Sequence, residues 1–327
     1  MQVQKRVLFR VIGLAVFLAA QHHLVAAQTW PGKPVTVVVP YVAGGGVDPV
    51  ARMVSQKLAE RWMQPVIVDN RAGASGTIGA NFVAKAAPDG TTILMSATAE
   101  VVINQHFMQK MQYDPDRDLK PVTLLVTLPF ALVTAPSKPY KDMAGLIAYA
   151  RQHPGTVSYA SSGAGTPQHL AGVLVEQLAG VSLLHVPFKG VAQAMTDLLS
   201  GQVDIGFAGL PTALQQIQAG KLTALGLSSR ASAAAAPMIP PIAQTPGLEK
   251  FELIQWFGIF VPARTPEAVV QKIQKDVADV LAMPAVRDAL LKQGAEPSGM
   301  PTAEFEAFVA AEREKFREIV QVAHIKQ

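Results

Sequence analysis

Two glycine-rich segments of this 327-residue chain have the residue types that bind a small anion through the backbone. Residues 40–49 and 159–167 each follow an apolar, β-branched run, cross a glycine-rich turn and end in a capping residue followed by proline. Proline suits the first helical position, because its missing N–H has no intrahelical partner there. Each segment therefore predicts a helix N-terminus, whose free N–H groups and partial positive charge suit a carboxylate. Two such turns on separate lobes would form a clamp for one anion.

The first turn supplies backbone donors that a carboxylate or a water molecule can approach without a side chain in the way. Its candidate ligand-binding residues are Tyr41, Ala43, Gly44, Gly45, Gly46 and Asp48. A tight turn that binds nothing is the alternative, and the nucleotide-binding glycine motifs are absent. Asp48 precedes proline and is predicted to be the helix N-cap, with contact to a ligand amine or hydroxyl as the alternative. Tyr41 is predicted either to stack on a planar ligand or to pack in the cleft.

The second turn adds hydroxyl groups that can donate to a carboxylate or a carbonyl. Ser161, Ser162, Gly165 and Thr166 are its candidate ligand-binding residues. Thr166 is also the predicted cap of the following helix, a role that uses its oxygen and leaves its proton free.

His169 and Asp204 are two further candidates with strong structural alternatives. His169 follows the second turn by about one helical turn, and a satisfied structural histidine is the favoured interpretation. Asp204 begins an apolar run and either accepts from the ligand or is a strand-end residue. A serine of the second turn with these two residues would superficially make a hydrolase triad. The G-x-S-x-G elbow is missing and no tight metal-ligand cluster is present, so no catalytic residue, metal or cofactor is predicted.

The first 27 residues are predicted to be a secretory signal, with cleavage after Ala27. Three basic residues precede an apolar segment too short for a comfortable membrane span, and small residues follow it. A retained N-terminal anchor is the alternative. The net charge of +4 includes +3 from this segment, so the remaining chain has a charge of +1 and nucleic-acid binding gains no support. The chain has no cysteine, which excludes disulfides and thiolate chemistry.

Short apolar runs alternate with amphipathic runs along the chain, which predicts an α/β fold with parallel sheets. Consecutive strands near 123–134 interrupt this alternation, and a strand near 255–261 returns to the first series. The predicted architecture is two α/β lobes joined by two extended crossings. Residues 28–126 and 252–327 form lobe 1, and residues 127–251 form lobe 2, which is inserted into lobe 1. The predicted ligand site is the cleft at the carboxyl ends of the strands.

Six motifs in order give the chain a resemblance to a known family. They are residues 40–48 (PYVAGGGVD), 68–76 (VDNRAGASG), 85–90 (KAAPDG), 162–170 (SGAGTPQHL), 186–190 (VPFKG) and 201–204 (GQVD). Over nearly all of the mature chain, the sequence resembles the substrate-binding proteins of tripartite tricarboxylate transporters, often called the Bug family. The resemblance adds Ala74, Ser75 and Gly190 to the candidate ligand-binding residues. One departure is Val47, at a position where the family usually has a hydroxyl.

The resemblance implies a periplasmic binding protein-like Venus flytrap that captures a small organic carboxylate. Its implied partners are a membrane permease with one large and one small subunit. A sensor kinase contacted by the loaded receptor is the alternative partner, and a serine-dependent hydrolase is the alternative activity.

Overall fold

The computed structural model describes residues 30–44, 46–188 and 190–322. The predicted signal segment and Gly45 lie outside these residues. Within them the chain forms two β-sheets with helices packed against them.

The first sheet has six strands in the order β11-β4-β10-β3-β1-β2. The first three strands of the chain are mutually parallel, while β10 lies antiparallel between β3 and β4. The strands are β1 Val35–Val39, β2 Val66–Asn70, β3 Thr92–Ser96, β4 Leu119–Leu128, β10 Gln255–Pro262 and β11 Glu296–Pro297. The buried β-branched run of β1 explains its interior position between β3 and β2, because strands buried on both faces are continuously apolar.

The second sheet has five strands in the order β7-β6-β8-β5-β9. Strands β6, β7 and β8 are parallel, and β5 is antiparallel to both of its neighbours. The strands are β5 Phe130–Thr134, β6 Ser158–Ser161, β7 Leu184–Pro187, β8 Ile205–Gly209 and β9 Thr223–Leu227. Every strand of this sheet lies between β4 and β10 in the chain, so the second lobe is an insertion into the first.

The α-helices follow the strands on both sides of each sheet. They are α1 Val47–Trp62, α2 Thr77–Ala84, α3 Pro115–Asp118, α4 Met143–Gln152, α5 Pro167–Ala179, α6 Val191–Leu199, α7 Leu210–Gln218, α8 Glu267–Leu281, α9 Pro284–Lys292 and α10 Thr302–Val322. The sequence predicts helices at 47–61, 77–86, 143–152, 168–179, 192–199 and 212–218 and two more near the C-terminus, so α3 and α9 are the two without a predicted counterpart. None of the helices described here is both long and apolar enough to cross a membrane.

Ser228 joins the two crossings between the lobes. Its hydroxyl accepts from the N–H of Phe130 at 2.8 Å, and its own N–H donates to the carbonyl of Phe130 at 2.9 Å. Its carbonyl accepts from the N–H of Leu253 at 3.1 Å. Ser228 is fully buried, so these hydrogen bonds are shielded from water and link the outgoing crossing to the returning one.

Candidate ligand-binding site

The carboxyl ends of the parallel strands in both sheets point toward the crossings. In the first sheet, Gln255 at the start of β10 pairs with Leu128 at the end of β4. In the second sheet, Phe130 at the start of β5 pairs with Gly209 at the end of β8. The loops after β1, β2, β3 and β6 therefore lie around the space between the sheets. This is the edge at which open α/β sheets bind ligands.

In the first loop, the N–H of Gly44 donates to the Asp48 carboxylate at 2.9 Å. That donor is therefore engaged and is not open to a ligand in this conformation. Helix α1 begins at Val47, with Gly46 at the N-cap position, so the prediction that Asp48 is the N-cap is wrong. Asp48 instead lies in the first helical turn and reaches back to the loop. Ala43, Gly44 and Gly46 are exposed to solvent.

Asp48 is buried and accepts two further hydrogen bonds. Arg52 Nε donates to it at 2.9 Å, and Asn70 Nδ2 donates to it at 2.9 Å from the end of β2. Burial by itself would raise the pKa of Asp48, but the hydrogen bonds from Arg52, Gly44 and Asn70 outweigh burial and hold the pKa below its ordinary value. Asp48 therefore fixes the first loop onto the sheet as a carboxylate.

Tyr41 connects the first loop to a buried acid. Its hydroxyl donates to Glu100 Oε2 at 2.6 Å, while Ser96 Oγ and the N–H of Ala97 donate to Glu100 Oε1 at 3.0 and 2.7 Å. Burial raises the pKa of Glu100 to about 7, although these hydrogen bonds act in the opposite direction. The hydroxyl of Tyr41 is therefore engaged in a hydrogen bond within the protein.

Ala74 and Ser75 lie on the exposed loop after β2 and both adopt left-handed backbone angles, with φ of 45° and 52°. Such angles are strained in residues other than glycine and persist when the surroundings hold them. Here Asn104 Nδ2 donates to the Ser75 carbonyl at 2.9 Å, and Thr77 Oγ1 donates to the Ala74 carbonyl at 2.8 Å. Both residues stay ligand-binding candidates.

The second loop is tightened by its own hydroxyl groups. Thr166 Oγ1 donates to the Gly163 carbonyl at 2.7 Å. Thr166 is at the N-cap position of α5 but makes no side-chain cap hydrogen bond, so the predicted capping role of its oxygen is wrong. Ser161 Oγ contacts His185 Nε2 at 2.6 Å, and Ser162 Oγ donates to Gln168 Oε1 at 3.2 Å.

His169, in the first turn of α5, also holds the second loop. The N–H of Gly165 donates to His169 Nδ1 at 3.1 Å, and the His169 ring stacks on His185 with centroids 3.9 Å apart. The Gly165 backbone also packs against lobe 1, since an added Cβ there would lie 3.3 Å from the ring of Phe107. Burial, assisted by the neighbouring His185, lowers the pKa of His169 to about 4. The structure supports the satisfied structural role for His169.

Asp204 lies at the amino end of β8, whereas Ser161 lies at the carboxyl end of the parallel β6. Its carboxylate accepts from the N–H and hydroxyl of Ser158 at 2.8 and 2.6 Å and pairs with Lys138 at 2.6 Å. The structure therefore separates Asp204 from the second loop, which contradicts its place among the site residues. No described group of three or more histidine, aspartate, glutamate or cysteine residues is arranged to hold a metal ion.

A cavity of about 560 Å³ opens beside the second loop. Two predicted residues, Ser161 and Ser162, line it, and Gly190 directly precedes the lining residue Val191. The first-loop residues are not part of this lining. The other lining residues are Phe130, Ala160, Gln168, Val191, Ala192, Ala194, Met195, Leu198, Gly206, Phe207, Ala208, Gly209, Thr212 and Gln255.

The sequence predicted α6 as a helix but not its place in the cavity wall, and it gave no role to Glu100. A single acid in the apolar segment 97–103 was an available signal for Glu100, because a fully buried acid needs partners. The signal for α6 was the apolar residues Val191, Met195 and Leu198, spaced on one helical face directly after Gly190.

Comparison with known proteins places these features in a family. The model of the tripartite tricarboxylate transporter family receptor matches residues 50–325. Protein BugT of Bordetella pertussis is 32% identical over 315 residues, which cover 96% of each chain. A protein encoded in the tcbD-tcbE intergenic region of Pseudomonas sp. strain P51 is 38% identical over 293 residues, covering 90% of this chain and 87% of that relative.

Solved structures of similar proteins include two with bound dicarboxylates. R. palustris Rpa4515 with adipate is 32% identical, with a TM-score of 0.77 and coverage of 91% of this chain and 99% of that chain. MatC of Rhodopseudomonas palustris with bound malate is 31% identical, with a TM-score of 0.73 and coverage of 89% and 100%. The predicted two-lobed, periplasmic binding protein-like fold is therefore confirmed. This chain belongs to the receptor family of the tripartite tricarboxylate transporters.

Proposed function

We propose that this receptor captures a small organic carboxylate in the cleft between its lobes and delivers it to a permease with one large and one small membrane subunit. The ligand's carboxylate is held by backbone donors and hydroxyls of the loops after β1, β2 and β6. Residues 28–126 with 252–327 form one lobe and residues 127–251 the other. The chain is exported to the periplasm, with its signal segment cleaved after Ala27.

The observation that carries this proposal is the cavity beside the second loop. Ser161 and Ser162 line it at the carboxyl end of β6, while Phe130 and Gln255 line it from the two crossings. A cavity that is bounded by both crossings changes shape when the lobes rotate about them, as expected of a receptor that closes on its ligand. The adipate- and malate-bound relatives support a carboxylate as the ligand class.

A receptor role without catalysis fits the arrangement of the serine and histidine residues. Ser161 contacts His185, but Asp204, the acid expected to orient a catalytic histidine, is bonded to Ser158 and Lys138 at the other end of the strands. A triad requires that third group beside the histidine. We therefore propose that the Ser161–His185 contact shapes the loop.

Thermal shift and calorimetry on protein beginning at residue 28 test the function. Malate, adipate, citrate, acidic amino acids and aromatic acids are the probes, with adipamide as the uncharged control. At least one carboxylate raises the melting temperature by mass action, and adipamide does not. A panel in which no carboxylate shifts the melting temperature contradicts the proposal.

The variant Ser162→Ala tests the second loop. Loss of one hydroxyl donor weakens binding about fivefold to tenfold, which corresponds to about 1 kcal/mol. Ser200→Ala is the matched control, because its hydroxyl donates to the Asp197 carbonyl at an exposed helix end. Equal affinities in both variants would remove Ser162 from the site.

Deletion of the gene abolishes uptake of the bound carboxylate, whereas intact uptake with a lost transcriptional response indicates a sensor.

A further inference from the structure

Glu100 is a fully buried acid, and no lysine, arginine or histidine of the described residues forms an ion pair with it. The groups that donate to its carboxylate are the Tyr41 hydroxyl, the Ser96 hydroxyl and the Ala97 N–H, and all three are neutral. Burial without a cation disfavours the charged form of an acid. Burial therefore raises the pKa of Glu100 to about 7, so both of its forms are present near neutral pH.

The hydrogen bonds around Glu100 can accommodate a proton. Ser96 Oγ lies 3.0 Å from Glu100 Oε1 and 2.8 Å from the Ala97 carbonyl oxygen, and its single proton can serve one acceptor or the other. When Glu100 is ionised, the serine donates to the carboxylate. When Glu100 is protonated on Oε1, the acid donates to Ser96 Oγ and the serine donates to the Ala97 carbonyl. Both forms of the acid therefore keep their hydrogen bonds.

The carboxyl group of Glu100 supports two loops of the ligand site at once. It lies in the short π-helix Ala99–Ile103, directly after β3. Tyr41 of the first loop donates to Glu100 Oε2 at 2.6 Å. Gly76 ends the loop after β2, and an added Cβ there would lie 3.0 Å from the same oxygen. The backbone of that loop thus packs on the carboxyl group, and a change at Oε2 acts on both loops.

The other charged groups on the elements around Glu100 pair with one another. The pairs are Asp48 with Arg52 on α1, Asp69 of β2 with Arg71, Asp116 of α3 with Arg313 of α10, and Glu312 with Lys315 and Glu314 with Arg317 on α10.

The titratable groups that face Glu100 are the phenols of Tyr41 and Tyr113. The Tyr113 hydroxyl donates to the Glu100 carbonyl at 2.5 Å. Burial raises the pKa of both phenols, so they stay neutral near pH 7. His106 follows the π-helix, and burial lowers its pKa from 6.5. Of the described groups beneath the two loops, Glu100 is therefore the one whose charge changes near neutral pH.

An ionised Glu100 and an anion held by these loops repel each other, because both are negative in a region with little water. A bound anion therefore favours the protonated acid and, by reciprocity, the protonated acid favours binding. We propose that Glu100 is a positioning residue for carboxylate capture, and that the receptor takes up a proton at Glu100 when it binds its ligand. This inference rests on the proposed function, since it assigns a proton linkage to that same site.

Calorimetry at pH 7 in phosphate and in Tris tests the linkage on protein beginning at residue 28. The two buffers differ in heat of ionisation, so the difference in binding heat counts the protons taken up. The probe is the acid among malate, adipate, glutamate and benzoate that gives the largest thermal shift. We expect an uptake of about 0.3–0.5 proton per ligand, because Glu100 is about half protonated before binding. We expect the affinity to fall about threefold to tenfold from pH 6 to pH 8.

Glu100→Gln fixes the neutral form, because glutamine has the shape of the protonated acid and its NH₂ group can donate to the Tyr41 oxygen. We expect this variant to take up no proton and to lose the pH dependence. Glu312→Gln is the matched control, because Glu312 is also buried and accepts from Trp256 Nε1 at 2.9 Å, but lies on α10. We expect the control to keep the proton uptake of the unmodified protein. Circular dichroism verifies that both variants fold.

Tyr41→Phe tests the contact between Glu100 and the first loop. The Tyr41 hydrogen bond lowers the pKa of Glu100, so its loss should move the midpoint of the pH dependence to higher pH. A midpoint at unchanged or lower pH overturns the assignment to Glu100.

The outcomes separate this proposal from the one on which it depends. Binding without proton uptake, or an uptake that persists in Glu100→Gln, overturns the proton linkage and leaves the receptor function standing. Absence of binding for all four acids overturns both. Should Glu100→Gln not fold, the uptake of the unmodified protein and the midpoint in Tyr41→Phe decide.

Discussion

Asp48 is expected to hold the first loop, and Asp48→Ala tests that role directly. The buried carboxylate accepts from the Gly44 N–H, from Asn70 Nδ2 and from Arg52 Nε, each at 2.9 Å. Alanine removes all three hydrogen bonds. It leaves a loop donor, a side-chain amide and a guanidinium without this partner.

The magnitude follows from the exposure of the three donors. Hydrogen bonds to a charged group contribute about 1.5–3 kcal/mol, and the lower end applies to Gly44 and Asn70 because water can reach both. The pair with Arg52 adds less than about 1 kcal/mol, since that side chain is 54% exposed. We expect Asp48→Ala to lower the free energy of unfolding by about 3–4 kcal/mol.

Urea denaturation monitored by circular dichroism measures this loss as a shift in midpoint at constant slope. Asp142→Ala is the matched control, because Asp142 caps α4 with one hydrogen bond, from the Gly145 N–H at 2.7 Å, at an exposed site. That cap contributes about 1 kcal/mol. If Asp48→Ala loses no more stability than Asp142→Ala, Asp48 does not hold the first loop through these three hydrogen bonds.

Two further changes test the second lobe. Gly172→Ala places a Cβ 2.2 Å from the buried ring of Tyr159. This overpacking should lower the free energy of unfolding by about 1–3 kcal/mol. An unchanged urea midpoint would contradict the close contact between Gly172 and Tyr159. Because the pKa of His169 falls from 6.5 to about 4 on folding, the unfolded chain takes up a proton first as the pH falls. Stability from this group is therefore retained above pH 6.5 and lost toward pH 4, by about 2 kcal/mol between pH 7 and pH 5. His169→Asn keeps an acceptor for the Gly165 N–H and should reduce that pH dependence by the same amount in urea titrations. An identical pH dependence in the variant would refute the assignment.

Much of the fold was predictable from the sequence because its signals are local. The residues within β1, α1 and the helix Met143–Gln152 are enough to predict each element, from the apolar run of β1 and the amphipathic spacing of the two helices. Consecutive strands near 123–134 also indicated where the chain passes between the lobes. The short helix Pro284–Lys292 was missed because its buried apolar residues, Val286 and Leu290, make too few repeats for a periodic signal.

The site was less predictable because its roles depend on contacts distant in sequence. Asp48 has the residue type and neighbours of an N-cap, but Asn70 and the Gly44 N–H draw its carboxylate back onto the loop. The sequence marks Glu100 only as a single acid in an apolar segment, and the fold alone brings Tyr41 to it. Asp204 was misplaced although it begins its strand, because the amino ends of parallel strands lie at the edge of the sheet opposite to the loops of the site.

The hydrogen bonds of Ser228 have a mechanical consequence. Two independent crossings would let the inserted lobe rotate about several axes. Two crossings that are hydrogen-bonded to each other favour rotation about one axis. We expect the inserted half of the molecule to open and close along a single coordinate, with little freedom to roll. Ser228→Ala keeps the two backbone hydrogen bonds and removes the hydroxyl that accepts from the Phe130 N–H, so it should loosen this link and broaden the distribution of distances between the halves in single-molecule fluorescence.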